Sequence, residues 1–256
     1  MSELVRRIKN YELSYMQDYG FEQIMVHARQ RCIVELIKQT KPEVVIEIGC
    51  GNDQLFSLLT ECDFIRKWVI IEPADAFVKH ASETFKGDSR VQVVQGFVEN
   101  VEPSEVSLCD LCIVSGMLHE VQKPLDILLA ARKLVKSGGM IHANVPNALS
   151  MHRQLAVNMG LIPSVYEVSD RNKSLSQYHL FDMQSLETLI VQTGLSVEAK
   201  GGYLVKPFTH KQMEALSGVV GDAVLDGLWL LGKQYPELAS EIYINATLGE
   251  GVEEKS

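Results

Sequence analysis

Short β-branched runs alternate along this chain with longer stretches whose apolar residues recur at helical spacing. The runs at 43–48 (EVVIEI), 68–72 (WVIIE), 91–95 (VQVVQ), 110–114 (DLCIV) and 140–145 (MIHANV) predict five strands. Between them 53–61, 74–85 and 124–136 predict helices, the last ending at the glycine cap Ser137-Gly138-Gly139. Ahead of the first strand, Phe21, Ile24, Met25, Ala28, Cys32, Leu36 and Ile37 form one helical stripe, which Lys41-Pro42 ends. Strands that are apolar almost throughout belong in a parallel sheet covered on both faces. In such sheets ligands bind beyond the carboxyl ends of the strands, so the residues just after each strand carry the functional information.

Past the fifth strand the pattern changes. Residues 146–180 are polar and aromatic and too long for an ordinary loop, the mark of a lid or substrate cap or else of a disordered segment; a lid is the expectation here. A helix at 182–193, strand-like runs at 195–200 and 202–206, a helical region at 209–233 and a short segment at 236–245 follow. The expected fold is α/β: a doubly wound, mostly parallel seven-stranded sheet with helices on both faces. Its parts are an N-terminal helical cap (1–41), a central domain (42–206) holding the lid, and a C-terminal helical extension and tail (207–256). In the extension Leu225, Leu228, Trp229 and Leu231 make an apolar face, for which core packing and a homodimer contact both stay open.

Composition narrows the function classes. A net charge of −9, with no basic run, argues against a nucleic-acid partner. The pair Arg6-Arg7 beside Glu3 reads as a solvated helix face, and the polar tail GEGVEEKS as frayed. No membrane span or signal core is expected, which makes the cytoplasm the default location. Five scattered cysteines suit a reduced compartment. Cys109 and Cys112 form a C-x-x-C pair, but a regular strand would point residues three apart to opposite faces, and no second pair completes a zinc site; no metal is expected.

The stretch VVIEIGCGNDQLFSLL, residues 44–59, carries the chemistry: a strand ending at Glu47, glycines at 49 and 51, then Asp53. A dinucleotide fingerprint would ask for a third glycine where Gln54 stands, and would set its phosphates between two acids. A cationic ligand wants that arrangement, with glycines admitting close backbone approach. Asp53 also reads as a helix N-cap. Glu72, closing the second strand about twenty residues on, fits the acidic residue that meets ribose hydroxyls, and Pro73 sets the chain direction after it.

These residues resemble the class I S-adenosylmethionine-dependent methyltransferases, whose first motif E/D-x-G-x-G-x-G reads here Glu47-Ile48-Gly49-Cys50-Gly51-Asn52-Asp53. The resemblance spans roughly 40–205, including CDLCIVSGMLHEV and LVKSGGMIHANVPN. It implies S-adenosyl-L-methionine as cofactor and S-adenosyl-L-homocysteine as product. Glu47 and the Gly49-Cys50-Gly51 turn with Asp53 would hold the methionine part, Glu72-Pro73 the ribose, and Gly96-Phe97 would border the adenine where relatives often carry Asp. Phe97 against the adenine and Phe97 in the core are both open. Ser115 and Gly116, after the fourth strand, would line the methyl group.

In-line methyl transfer to an alcohol benefits from a base. His119, with Glu120 as partner, stands where the family places residues near the methyl; the alternative is that His119 opens a helix and bonds backbone. Arg29, His152, Arg153, Tyr178 and His179 supply cationic and hydrogen-bonding groups for a polar or anionic acceptor. The lid and the GGYLVKPF stretch look, more loosely, like bacterial surface-polysaccharide and small-metabolite methyltransferases. The turn Ser115-Gly116-Met117-Leu118 lacks the [DNS]-P-P-[YFW] pattern of nucleic-acid amino methylation, and His119-Glu120 does not supply the carboxylate cluster of metal-assisted enzymes. The expectation is a methyltransferase acting at an oxygen of a small polar acceptor, a sugar or related metabolite. A non-catalytic scaffold with the same fold and a nicotinamide-dependent oxidoreductase are its rivals.

Overall fold

The computed structural model describes residues 20–168 and 177–249. Arg6-Arg7, all of the tail after Gly249 and the middle of the 146–180 segment lie outside the described residues. The strands are β1 (Val44–Ile48), β2 (Lys67–Glu72), β3 (Val91–Gln95), β4 (Cys109–Ser115), β5 (Val135–Pro146), β6 (Ser196–Val205) and β7 (Ala239–Thr247). The helices are α1 (Gly20–Thr40), α2 (Asp75–Thr84), α3 (Pro124–Lys133), α4 (Met151–Asn158), α5 (Met183–Val191) and α6 (His210–Gln234). One sheet orders the strands β3-β2-β1-β4-β5-β7-β6. β1 to β5 run parallel, and β7 pairs antiparallel with both β5 and β6. An all-parallel dinucleotide fold has no such inserted antiparallel strand.

Alternation along each strand sends one set of side chains to each face. Ile46, Ile48, Val69, Ile71, Cys112 and Val114 pack with α3 and α5 residues such as Leu128 and Leu186. Val45, Trp68, Ile70, Leu111 and Ile113 pack with Ile33 and Ile37 of α1 and Phe77 of α2. The first half of α1 has a different partner: Phe21, Met25, Ala28 and Cys32 meet Tyr203, Leu204, Met213 and Trp229. Of the apolar face around Trp229, Trp229 itself is core and Leu225 and Leu228 pack partly against it, whereas Leu231 is 40% exposed. The cap is tied to the C-terminal strands as well as to β1.

Four expectations need correction. The runs 195–200 and 202–206 are one strand, β6, and the seventh strand is β7, so the segment after 207 is not all helical. The helix expected at 53–61 is a single 3-10 turn, Leu55–Leu58, with Gln54 at its N-cap position and no side-chain cap, so Asp53 does not cap it. α3 stops at Lys133, and Gly138-Gly139 lie inside β5, where the four residues between Val135 and Met140 stand opposite the single residue Asp110 of β4. The same irregularity, between Cys109 and Leu111, turns Cys109 onto the face of Cys112. The pair is buried together rather than on opposite faces.

The longest helix also departs from expectation. α6 is long and apolar enough, by length and composition, to cross a membrane, with 11% of the qualifying window buried, but it is two helices joined at a kink, where Gly221 has φ 70° and ψ 169°. Its Met213, Trp229 and Gly232 pack against the fold, and Trp229 Nε1 donates to the Ala28 carbonyl (3.2 Å).

Candidate active site

The carboxyl ends of β1 and β2 meet in a built turn. Gly49 and Gly51 adopt φ of +74° and +58°, conformations that cost any other residue. The Gly49 N–H donates to the Ile71 carbonyl (2.9 Å), which fixes where the turn starts. Glu72, 3% exposed, accepts from the N–H of Cys50 (3.1 Å) and of Ala74 (2.8 Å). Burial pushes its carboxyl up, while the N–H groups of Ala74, Cys50 and Gly51 pull it back. Glu72 thus latches the glycine turn to β2. A carboxylate has about four lone-pair sites, so it retains capacity for ligand hydroxyls.

Glu47 faces the other acid from β1. It is 5% exposed and accepts from Trp68 Nε1 (3.0 Å). Burial pushes it up to about 8; the indole bond opposes this and the charge of Glu72 adds to it. Near neutrality, the protein therefore holds Glu47 largely protonated until a cation approaches. Cys50 is buried, and burial with both acids nearby pushes its thiol up. Gln54 donates to the Gly51 carbonyl (3.1 Å), and its Oε1 is buried without a partner among the described residues. Asp53 is half-exposed, and its carbonyl accepts from Gln30 (2.9 Å). Two buried carboxyls resisting ionisation beside a glycine cradle fit a ligand bearing positive charge.

After β2, Pro73 is half-buried. Gly96 follows β3, and its N–H donates to the Glu72 carbonyl (3.1 Å). Phe97 is half-buried and belongs to none of the three apolar clusters, so the core reading of Phe97 is the poorer one.

The turn after β4 is covered by α1. Ser115 pairs with Asn144 of β5, and the Gly116 N–H donates to the Asn144 carbonyl (3.0 Å). Gly116 has φ +65°, and a Cβ there would lie 2.7 Å from Arg29 Nη1, so the guanidinium lies directly on the turn. Two other Arg29 nitrogens grip Glu241, Nε to Oε2 (2.9 Å) and Nη2 to Oε1 (2.5 Å). Tyr203 and Asn144 also donate to Glu241 Oε2 (2.5 and 3.0 Å). Arg29 is committed chiefly to this ion pair, and an acceptor would reach only its side over Gly116.

His119 sits in the same turn, not at the start of a helix, since α3 begins at Pro124. It is 5% exposed; Nε2 lies 3.4 Å from Glu120 Oε1, and Nδ1 is buried with no partner among the described residues. The His119 carbonyl accepts from the N–H groups of Tyr178 (2.8 Å) and His179 (3.2 Å), while His179 Nε2 lies 3.2 Å from the Gln122 carbonyl. The end of the 146–180 segment is thereby clipped to the turn. Arg153 points elsewhere, donating to the carbonyls of Val165 (2.7 Å) and Glu167 (2.5 Å). His152 lies among Lys206, His210 and Arg153.

The expected residues therefore fall into three groups along one sheet edge: Glu47 to Asp53 with Glu72, Pro73, Gly96 and Phe97; Arg29, Ser115, Gly116, His119 and Glu120 with Tyr178 and His179; and His152 with Arg153. Sequence reasoning missed Trp68, Asn144, Tyr203, Lys206 and Glu241. Alternation could have flagged Glu241, because Glu241, Tyr243 and Asn245 line one face of β7 while Ile242 and Ile244 line the other. Among the described residues no cluster of three or more His, Cys, Asp or Glu could hold a metal.

Comparison with known proteins agrees with this geometry. Residues 46–143 match a methyltransferase domain family. No curated protein matches the chain by sequence. Among solved structures, the N-methyltransferase NodS from Bradyrhizobium japonicum WM9, in complex with S-adenosyl-L-homocysteine, superposes with a TM-score of 0.59 at 11% identity, covering 95% of this chain and 99% of NodS. A possible histamine N-methyltransferase from Thermotoga maritima gives 0.61 at 16% identity, covering 94% and 99%. The cyclase SpnF gives 0.52 at 13% identity, covering 81% and 75%. At such identities the likeness is one of fold. By its strand order and its glycine turn the chain has the fold of the class I S-adenosylmethionine-dependent methyltransferases, and residues 46–143 within it match a methyltransferase domain.

Proposed function

We propose that this protein transfers the methyl group of S-adenosyl-L-methionine to an oxygen of a small polar acceptor, a sugar or related metabolite, in the cytoplasm. When bound, the cofactor supplies an electrophilic methyl on a sulfonium. The glycine turn and Glu47 orient its methionine end, Glu72 takes ribose hydroxyls, and Phe97 lies against the adenine. The observation that carries the oxygen reading is His119: a buried imidazole beside Glu120, with an unpartnered Nδ1, in the turn after β4. A hydroxyl must lose a proton as its oxygen attacks, and His119 is the group that accepts it, with Glu120 steadying the imidazolium formed.

A second reading, transfer to an amine, is favoured by the two N-methyltransferases among the structural neighbours. A neutral amine brings its own lone pair and needs no base for attack. Replacement of His119 by Ala separates the two. For a hydroxyl acceptor turnover falls about 10²–10⁴-fold while S-adenosylhomocysteine affinity, measured by calorimetry, is unchanged. Turnover that survives the change removes His119 as the base and leaves the amine reading.

A further inference from the structure

A closed circuit of contacts surrounds the turn after β4. The Gly116 N–H donates to the Asn144 carbonyl (3.0 Å), and the Asn144 side chain donates to Glu241 Oε2 (3.0 Å). Glu241 holds Arg29 through Nε (2.9 Å) and Nη2 (2.5 Å). The guanidinium then returns to Gly116, where a Cβ would stand 2.7 Å from Nη1. Asn144 and Glu241 are buried, whereas the Arg29 side chain keeps 18% of its surface accessible. A guanidinium presents its N–H groups in a rigid, planar fork. Glu241 engages two of the three nitrogens. The third, Nη1, lies over Gly116 and has no hydrogen-bond partner among the described residues.

What Nη1 can hold follows from Glu241. A carboxylate has about four lone-pair sites. Four donors meet this one: Arg29 Nε and Nη2, Tyr203 Oη and Asn144 Nδ2. Glu241 is thus the full counter-charge of Arg29, one negative against one positive in a part-buried place. An anionic group on Nη1 would be a second oxyanion sharing one guanidinium, and like charges that close disfavour each other. A cation would meet a donor where it needs an acceptor. An uncharged hydroxyl or carbonyl oxygen accepts from Nη1 at neither cost. The fork is already held in place, so little freedom is lost when that bond forms. Its position also matters. Nη1 lies over the turn that carries His119, three residues beyond Gly116, so a molecule presented to the imidazole lies beside the same turn.

We infer that Arg29, held by Glu241, determines acceptor specificity: its Nη1 edge donates to a hydroxyl or carbonyl oxygen of an acceptor that carries no charge. This rests on the proposed methyl transfer and names the charge class of its acceptor. The full chain is incubated with methyl-labelled S-adenosylmethionine and a protein-free small-molecule extract of bacterial cells. Label above a no-enzyme control is then passed over anion- and cation-exchange columns. The labelled product is expected to run through both. Retention on either column overturns the inference and leaves methyl transfer standing; on the cation exchanger it favours the amine reading. No label at all, with S-adenosylhomocysteine still bound in calorimetry, ends the methyl-transfer reading and this inference with it. A second arm combines Arg29→Gln with Glu241→Gln, which strands no buried charge. KM for the unretained acceptor fraction is expected to rise about tenfold or more, as for loss of a hydrogen bond from a charged donor, with the loss on KM rather than kcat. S-adenosylhomocysteine affinity is expected to hold. An unchanged KM takes Nη1 off the acceptor, and an equal loss of S-adenosylhomocysteine affinity puts the cofactor's own carboxylate there; either overturns the inference. The columns use the unaltered chain, so they decide the charge class even where the double variant does not fold.

Discussion

The cofactor side and the proposed acceptor side of this molecule are built by different means. On the cofactor side the polar contacts close over short sequence distances: Glu72 reaches back 22 residues to Cys50, and Trp68 reaches back 21 to Glu47. The polar groups gathered there are largely backbone N–H groups and two carboxyls. On the acceptor side Arg29 pairs with Glu241 across 212 residues, and His210 with Glu22 across 188. The groups there are side chains, delivered by α1, β6, β7 and α6. A parallel sheet sets up the first site as soon as consecutive strands pair. The second exists only when the antiparallel β7 has slotted between β5 and β6 and the cap has closed on it.

The largest effect should come from breaking that long-range tie. Glu241→Ala leaves the Arg29 guanidinium and the Tyr203 hydroxyl buried without their shared acceptor, and loss of one partner of such a pair costs about 3–5 kcal/mol of stability. Denaturant unfolding measures it. If the acceptor side is a separately assembled layer, the residual folded protein keeps its S-adenosylhomocysteine affinity. Equal losses of stability and cofactor affinity would erase the distinction between the two sides.

A smaller, opposite effect belongs to Glu72. Glu72→Ala frees the N–H groups of Cys50 and Ala74 and takes two acceptor oxygens from the ribose. Cofactor affinity should fall by about 1–3 kcal/mol, the usual cost of unpaired buried partners. Calorimetry with S-adenosylhomocysteine tests this, and an unchanged dissociation constant takes Glu72 out of the site.

The same division explains what could be read from the residues alone. The strand-end acids Glu47 and Glu72 and the glycines between them are local signals, and their places in the fold match the expectation. The α1 stripe was equally legible, since helical periodicity is local too. The role of Arg29 was not: a lone arginine on the polar side of a helix carries no mark of the glutamate 212 positions away. Lys206 was missed because a lysine at a strand end is normally solvated. The C-x-x-C face assignment failed because a strand irregularity at Cys109 breaks the two-residue period, and nothing in CDLCIV announces it. β7 was hidden by its position, behind the kinked helical region His210–Gln234 that made the rest of the chain look like an extension.

Glu47 offers the finest probe, because its proton reports the arrival of a cation. Its folded value of about 8 stands above the ordinary 4.5, so between those values the native chain holds a proton that the unfolded chain has released. The contribution of this group to stability is therefore full at low pH and declines as pH rises through about 8. An ammonium beside the carboxyl reverses the preference for the neutral form. Binding must then expel the proton below pH about 8, and affinity must climb with pH up to that value and level off above it. Calorimetry of S-adenosylhomocysteine in two buffers of different ionisation enthalpy counts the protons released. Adenosine, which lacks the amine, is the internal control and should bind with no such release. Glu47→Gln can still accept the Trp68 indole bond but cannot titrate, so it should flatten the pH dependence while leaving adenosine untouched. Equal proton release in the wild-type protein and in Glu47→Gln would mean that the cation sits elsewhere, and that the first acid of the glycine motif serves the indole rather than the ligand.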